Sequence, residues 1–407
     1  MPDLYTFDPS VFDALPKAQR AKFMELVQKN HIFEGKPFFL DDESLPVPFL
    51  DGFCDYLVKP KRKSPNTWKN YASHVSVFLR FLKAQGKAWN EVEKYDLDTY
   101  YRVRTNTEFQ SSAAIKDQSW NVAATAIVHL YEYANESGLI YNVPFNYVKK
   151  RSWLGGTSQE SADIRAKATP EPINFIKIEN YLTIWRPALL ATRNSQRNLA
   201  LTDLLVVTGL RISEALALKM HQLPDPDDQR YKGLRSVTVK VVGKGRKSRS
   251  VRIPKWSVKA IRFYIDEGRE EALANSRKNG TSKNALPKEI FLSKNGKPLR
   301  PRAVQDLFAS ISQVVALTLT PHGCRHTFAV YQLDAMVKRM AKNLVKIKEQ
   351  GADAFRQIMN DPLRELQNML GHSYITTTFI YLKFLEDAEA MVDDSLAAWT
   401  SWESGLE

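Results

Sequence analysis

From residue 64 onward, apolar side chains return at a helical period. Trp68, Tyr71, Val75, Phe78, Leu79 and Leu82 stand three or four positions apart, which lines one face of a helix. Ser64 is a natural N-cap, Pro65 suits the first helical position, and Gly86 marks the stop. A second stripe, Val122, Ala126, Leu130 and Tyr133, predicts a helix from about Ser119 to Gly138. An earlier, weaker one opens at Pro16 and carries Phe23, Leu26 and Val27. The period changes to two over Ser236–Val242, where Val237, Val239 and Val241 share a strand face. Gly243–Lys247 then turns the chain into a returning strand, Ser248–Ile253, so Lys244 is expected at an exposed hairpin tip. Further on, Met336, Met340, Leu344 and Ile347 form the apolar stripe of a helix rich in Lys and Arg.

These elements predict a mainly α protein with one small antiparallel β-sheet. At 407 residues the chain exceeds one ordinary core and suggests two domains. Residues 1–45 read as an acidic extension and 46–150 as an all-helical domain. Residues 151–170, with Gly155, Gly156 and several Ser and Thr, have linker chemistry. Residues 171–384 form the second domain. Residues 385–407 are a tail with seven acidic and no basic side chains, and with Leu385, Val392, Leu396 and Trp399 on one helical face.

Composition narrows the class. Hydrophobic content of 43% supports a globular fold, and no apolar run is long enough to span a membrane. The amino terminus lacks a basic-then-apolar leader, and Cys54 and Cys324 are too few for a disulfide framework, so a reduced cytoplasmic setting is expected. The net charge of +13 is uneven: residues 1–57 hold 10 acidic and 5 basic side chains, leaving +18 on the rest. Such a basic body favours a polyanionic partner. Candidate phosphate contacts are Lys59, Lys61, Arg62, Lys63, Lys69, Lys149, Lys150, Arg151, Arg246 and Lys247; each taken singly also reads as part of a solvated face.

The chemistry-bearing residues lie in the second half. Thr208-Gly209-Leu210-Arg211-Ile212-Ser213-Glu214 supplies an arginine and Gly243-Lys244-Gly245 a lysine. Pro321-His322-Gly323-Cys324-Arg325-His326 supplies a His-x-x-Arg pair, and Leu370-Gly371-His372 is followed nine positions on by Tyr381. Two arginines, a lysine, two histidines and a tyrosine meet the needs of metal-free phosphodiester transfer. Arginine forks stabilise a phosphorane, a lysine of lowered pKa protonates a leaving oxygen, and histidine exchanges protons near neutral pH. On chemistry alone Arg246 or Lys247 is as well placed as Lys244, and Tyr374 rivals Tyr381. Glu214, one helical turn past Arg211, would orient either that arginine or His322, or simply face solvent. His322 and His326 have a spacing that zinc sites use, but Arg325 between them opposes a cation and no acidic cluster suits magnesium. No metal or other cofactor is expected.

In this order the motifs closely resemble the active site of the tyrosine recombinases, the family of phage integrases and the Xer and Cre recombinases. The stretch Ser64-Pro65-Asn66-Thr67-Trp68, with Phe78-Leu79-Arg80-Phe81-Leu82 and Gly138–Asn146, resembles the SAM-like core-binding domain that precedes their catalytic domain. The resemblance selects Lys244 as general acid and Tyr381 as nucleophile. It implies Arg211 and Arg325 as phosphate clamps, His322 as proton-exchanging partner of the phenol, and His372 as a phosphate hydrogen-bond donor. It implies a site-specific recombinase that works through a 3′-phosphotyrosyl bond and a Holliday junction without metal or ATP. Its partners would be duplex recombination sites, three further copies in a tetramer, and accessory DNA-bending proteins, in nucleoid-associated cytoplasm; a mobile element is the favoured source. A type IB topoisomerase or telomere resolvase shares the chemistry, and a non-catalytic sequence-specific DNA-binding protein is the rival from another class. The chain departs from the family in the 47 positions between Arg325 and His372. The segment 331–366 there is either a packing insertion or an added DNA contact. The tail is either a helix passed to a neighbouring subunit or one packed on its own domain.

Overall fold

The computed structural model describes residues 2–347 and 362–372, together with Thr378 and Tyr381, except 30, 31, 60, 62, 107–113, 151–158, 168–172, 244–247 and 279–285. The chain divides into two compact units, Met1–Glu171 and Pro172–Glu407. Both are mainly helical, with short two-stranded antiparallel sheets.

In the first unit, helices α2 (Pro48–Val58), α3 (Pro65–Ala84), α4 (Lys94–Thr105) and α5 (Asp117–Glu136) surround two adjoining apolar clusters. The start of α3 follows from its sequence: the Ser64 hydroxyl accepts the Thr67 amide and Pro65 opens the first turn. The buried face of α3 is Trp68, Ala72, Val75, Phe78 and Leu82, close to the expected stripe. Residues 1–45 hold more than one helix. Besides α1 (Lys17–Lys29) they carry β1 (Asp3–Thr6) and β2 (Pro37–Leu40), paired from Asp3↔Leu40 to Thr6↔Pro37. Phe39 on β2 is fully buried against Leu50 and Phe53, and burying such a side chain contributes about 2 kcal/mol. This part of the extension therefore completes the core of the first unit.

The expected linker over 151–170 is corrected in its second half. Strand β3 (Tyr147–Lys150) pairs with β4 (Gln159–Ala162), and Ala162 and Ile164 are buried. The physical reason lies on α5. The buried Trp120 indole donates to the Ile164 carbonyl at 2.8 Å, and Asn121 exchanges hydrogen bonds with Ala166 at 2.9 and 3.1 Å. Buried polar groups need such partners, and this segment supplies them.

The second unit is built on α6 (Ser195–Thr208), buried nearly all round. It packs against α8 (Lys255–Tyr264) and α11 (Pro321–Ile347). The short α7 (Ile212–Leu216) follows α6; α9 (Glu270–Lys278) and α10 (Pro301–Val315) lie between α8 and α11 in sequence. The expected hairpin is present as β5 (Ser236–Val242) and β6 (Ser248–Pro254), in register from Ser236↔Pro254 to Val242↔Ser248. Val237, Val239, Val241, Val251 and Ile253 all point into the core. The basic segment after Leu333 is not a separate helix through residue 347; it prolongs α11, the helix that begins with the His-x-x-Arg pair. A further helix, α12 (362–370), sets Leu366 and Leu370 against Ala329, Val330 and Leu333 of α11. That packing returns the chain to the start of α11. Among the described residues, no helix is long and apolar enough to cross a membrane.

Candidate active site

Helix α6 ends at Gly209, whose φ of +60° favours glycine. A Cβ there would also lie 2.4 Å from the Phe328 ring. The turn buries Leu210 and leaves Arg211 as the N-cap of α7. Its amide donates to Glu214 Oε2 at 2.8 Å, its Nη1 to Glu214 Oε1 at 3.0 Å, and its Nη2 to the Gly371 carbonyl at 3.1 Å. Of the orientations open to Glu214, the structure has it on Arg211. The Arg211 side chain remains 32% exposed, enough to meet a ligand.

Arg325 is 2% exposed. Thr320 Oγ1 accepts the Gly323 amide and fixes the first turn of α11, which carries His322 and, almost one turn on, Arg325. Arg325 Nη1 donates to the Gly209 carbonyl at 2.7 Å and Nη2 to the Leu370 carbonyl. These acceptors lie at the carboxyl ends of α6 and α12, where the helix dipoles favour a cation. Burial first, then the Arg211 guanidinium, draw the Arg325 pKa down to about 10, so it stays charged at neutral pH.

A third arginine, absent from the sequence-based set, joins the two. Arg249 on β6 donates from Nη1 to Glu214 Oε1 at 2.7 Å, from Nη2 to Oε2 at 2.8 Å and from Nε to the Met369 carbonyl at 3.2 Å. Burial opposes ionisation of Glu214, but the bonds from Arg249 and Arg211 hold its carboxyl down at about 2. Gly371 has φ +64°, and a Cβ would stand 3.3 Å from Arg249 Nη1. A signal for Arg249 was present: it occupies the inward face of β6 with Val251 and Ile253, where alternation predicts an apolar residue.

Tyr381 is 2% exposed in the cluster formed by α11 and α12. Its hydroxyl lies 2.9 Å from His326 Nδ1. His322 packs edge-on to His326, ring centroids 4.4 Å apart, and the His372 ring lies nearly parallel to Tyr381 at 6.5 Å. His372 Nδ1 is 3.1 Å from Thr378 Oγ1. Burial raises the Tyr381 phenol to about 12, against the opposing pull of Arg325. Burial, then neighbouring cations and imidazoles, lower His322 and bring His326 and His372 to about 4. The site is thus cationic through its arginines, while its imidazoles are neutral.

Lys244, Arg246 and Lys247 lie outside the described residues, as do Arg62, Arg151, Tyr374 and the tail. In the first unit Lys59, Lys69 and Lys149 are exposed and Lys63 is half-buried. Lys150 has its backbone in β3. Lys61 is engaged by its own protein: its ammonium sits 3.6 Å from Glu132 and 3.7 Å from Glu136, over the Tyr56 ring. Cys324 is fully buried in the core of the second unit.

Two family profiles match the chain. That of the phage integrase family covers residues 183–340, and that of the phage integrase N-terminal SAM-like domain covers residues 50–138. The chain belongs to the tyrosine recombinase, or phage integrase, family. Among relatives of this recombinase, tyrosine recombinase XerC of Bacillus licheniformis is 28% identical over 341 residues, spanning 83% of this chain and 92% of the relative. Among solved structures, the XerH site-specific recombinase bound to a palindromic difH substrate, a post-cleavage complex, superposes with a TM-score of 0.52 at 17% identity. That match covers 85% of this chain and 83% of the other. The Tn1549 transposon integrase in complex with transposon right end DNA gives 0.51 at 16% identity, over 82% and 94%. These likenesses carry the fold. The family makes this protein a site-specific recombinase that acts as an enzyme on DNA.

Proposed function

We propose that this recombinase cuts and rejoins duplex DNA at two paired sites, with Tyr381 as nucleophile and Arg211, Lys244, His322, Arg325 and His372 as its catalytic partners. The observation that carries the reading is convergence: Arg211, His322, Arg325, His372 and Tyr381, spread over 171 residues, meet around the ends of α6, α11 and α12. Tyr381 attacks a phosphodiester, forming a 3′-phosphotyrosyl bond and releasing a 5′ hydroxyl. Arg211 and Arg325, held by helix-end carbonyls and Glu214, supply the positive field for the phosphorane. Lys244 gives the departing 5′ oxygen its proton and His372 donates to a non-bridging oxygen. His322, expected to exchange a proton with the phenol, packs instead on His326, the imidazole within hydrogen-bond reach of Tyr381, and so donates with His372 to the phosphate. The ester preserves phosphodiester energy, so the 5′ hydroxyl of a partner strand reverses the step without ATP. Repeated on two strand pairs, the exchange passes through a Holliday junction in a tetramer. Exposed Lys59, Lys69 and Lys149 serve as phosphate contacts, with accessory DNA-bending proteins as further partners. The added segment between Arg325 and His372, into which α11 continues as far as Ile347, favours a mobile-element integrase over a chromosome-dimer resolvase.

The test is a nicked suicide substrate resolved on a denaturing gel. Tyr381→Phe is expected to abolish the covalent protein–DNA adduct while leaving site binding within about twofold, because it removes one oxygen and no charge. An adduct that persists in this variant assigns the nucleophile to another residue.

A further inference from the structure

The nucleophile's hydroxyl has a partner that the sequence motifs did not assign. Among the described residues Tyr381 Oη meets His326 Nδ1 at 2.9 Å, while His322, four residues earlier on the same helix face, stacks edge-on against His326. We propose that His326 takes the phenolic proton of Tyr381 during cleavage and returns it when the strand is resealed. This rests on Tyr381 being the nucleophile.

The geometry suits the transfer. A proton acceptor must lie within hydrogen-bond reach of the proton it removes, and 2.9 Å satisfies that. Acceptance at Nδ1 requires the tautomer with its hydrogen on Nε2. In the forward step the Oη–H bond breaks and its proton passes to Nδ1, leaving an imidazolium. The phenolic oxygen forms the bond to phosphorus as the bond from phosphorus to the 5′ oxygen breaks, and that oxygen leaves with a proton from Lys244. Resealing reverses each transfer, the imidazolium protonating the departing phenolate.

Electrostatics agree with the placement. The charged or titratable groups facing His326 are His322 and Arg325 on α11, with Tyr381 and His372 from the chain beyond α12. Burial, then His322 and Arg325, keep the imidazole neutral at pH 7, the form that accepts a proton. A bound phosphodiester brings negative charge and favours the imidazolium as it forms. Tyr381 needs the help, because burial makes its phenol harder to ionise.

His326→Asn separates proton transfer from positioning, since an amide can hydrogen-bond near the Nδ1 position but does not take up a proton. The assay is the rate of adduct formation on a nicked suicide substrate, with site binding and melting temperature as controls. His326→Asn is expected to slow the adduct by on the order of 10²-fold with both controls unchanged. Replacing Tyr381 by a fluorotyrosine of more acidic phenol is expected to shrink that loss, because less basicity is then required. Full activity of His326→Asn overturns the proposal, and so does a loss that the acidic phenol leaves unchanged. If the asparagine chain melts lower, His326→Gln is read against the same outcomes. Tyr381→Phe, run alongside, distinguishes the two ideas: an adduct in that variant refutes Tyr381 as nucleophile, whereas failure of the His326 variants alone leaves it standing.

Discussion

Three guanidiniums around one carboxylate set the character of the site. Arg211 and Arg249 both bond to Glu214, and Arg325 reaches the carbonyls of Gly209 and Leu370. Leaving a buried cation without such partners would cost several kcal/mol. Glu214 lies below its ordinary pKa, at about 2, so it adds stability that is fully present above pH 4.5 and disappears as pH falls toward 2. Glu214→Gln is expected to lower unfolding stability at neutral pH by roughly 3 kcal/mol, the difference closing in acid. Urea titrations of both chains from pH 7 to pH 3 check this; a gap that stays constant would mean that the charge contributes nothing. His326 and His372 act with the same slope. Both are lowered to about 4, so between pH 6.5 and 4 the unfolded chain binds protons that the folded chain refuses, and stability falls with pH. At this scale the sequence was most legible where a motif fixes spacing, as in His322, Arg325 and His372. It was less legible at Arg249, whose place on the inward face of β6 marks it as unusual without naming its partner, and least at His326, whose partner lies 55 positions away.

Elements were readable where their hydrophobic period was long. The α3 stripe and the alternation of β5 and β6 gave the buried faces directly, because a whole face must be apolar to enter a core. Four-residue strands carry too few positions to show a period, so β1, β2, β3 and β4 were invisible, and hydrogen bonds from Trp120 and Asn121 order what composition makes look like linker. Turns behave differently, since one glycine decides them. Gly209 and Gly86 both have positive φ, yet only Gly209 has a neighbour, Phe328, where a Cβ would go. Gly86→Ala is expected to cost about 1 kcal/mol, the left-handed backbone penalty alone. Gly209→Ala adds a steric clash to that penalty and displaces the carbonyl that receives Arg325, so it should melt lower than Gly86→Ala and lose adduct formation. Equal melting temperatures for the two variants would show that the ring moves aside at no cost.

At the scale of the whole molecule, net charge and the tail bear on the proposed pairing of two sites. With +18 outside residues 1–57, binding to one DNA site should weaken steeply with salt, as each neutralised phosphate releases counterions. The acidic tail at 385–407 runs against that background. Its seven carboxylates would be repelled by DNA, while Leu385, Val392, Leu396 and Trp399, spaced as on one face of a helix, would offer an apolar stripe to protein. A tail repelled by DNA and adhesive to protein suits contact with a second basic copy, and head-to-tail contacts of that kind close into rings. Deleting residues 385–407 is therefore expected to reduce paired-site complexes at least tenfold, about 1.4 kcal/mol or more, while single-site binding changes less than threefold. Gel shifts separate the two species and crosslinking reports subunit number. If the shortened chain still pairs sites normally but melts at a lower temperature, the stripe packs on its own domain, and pairing must draw on surfaces nearer the catalytic core.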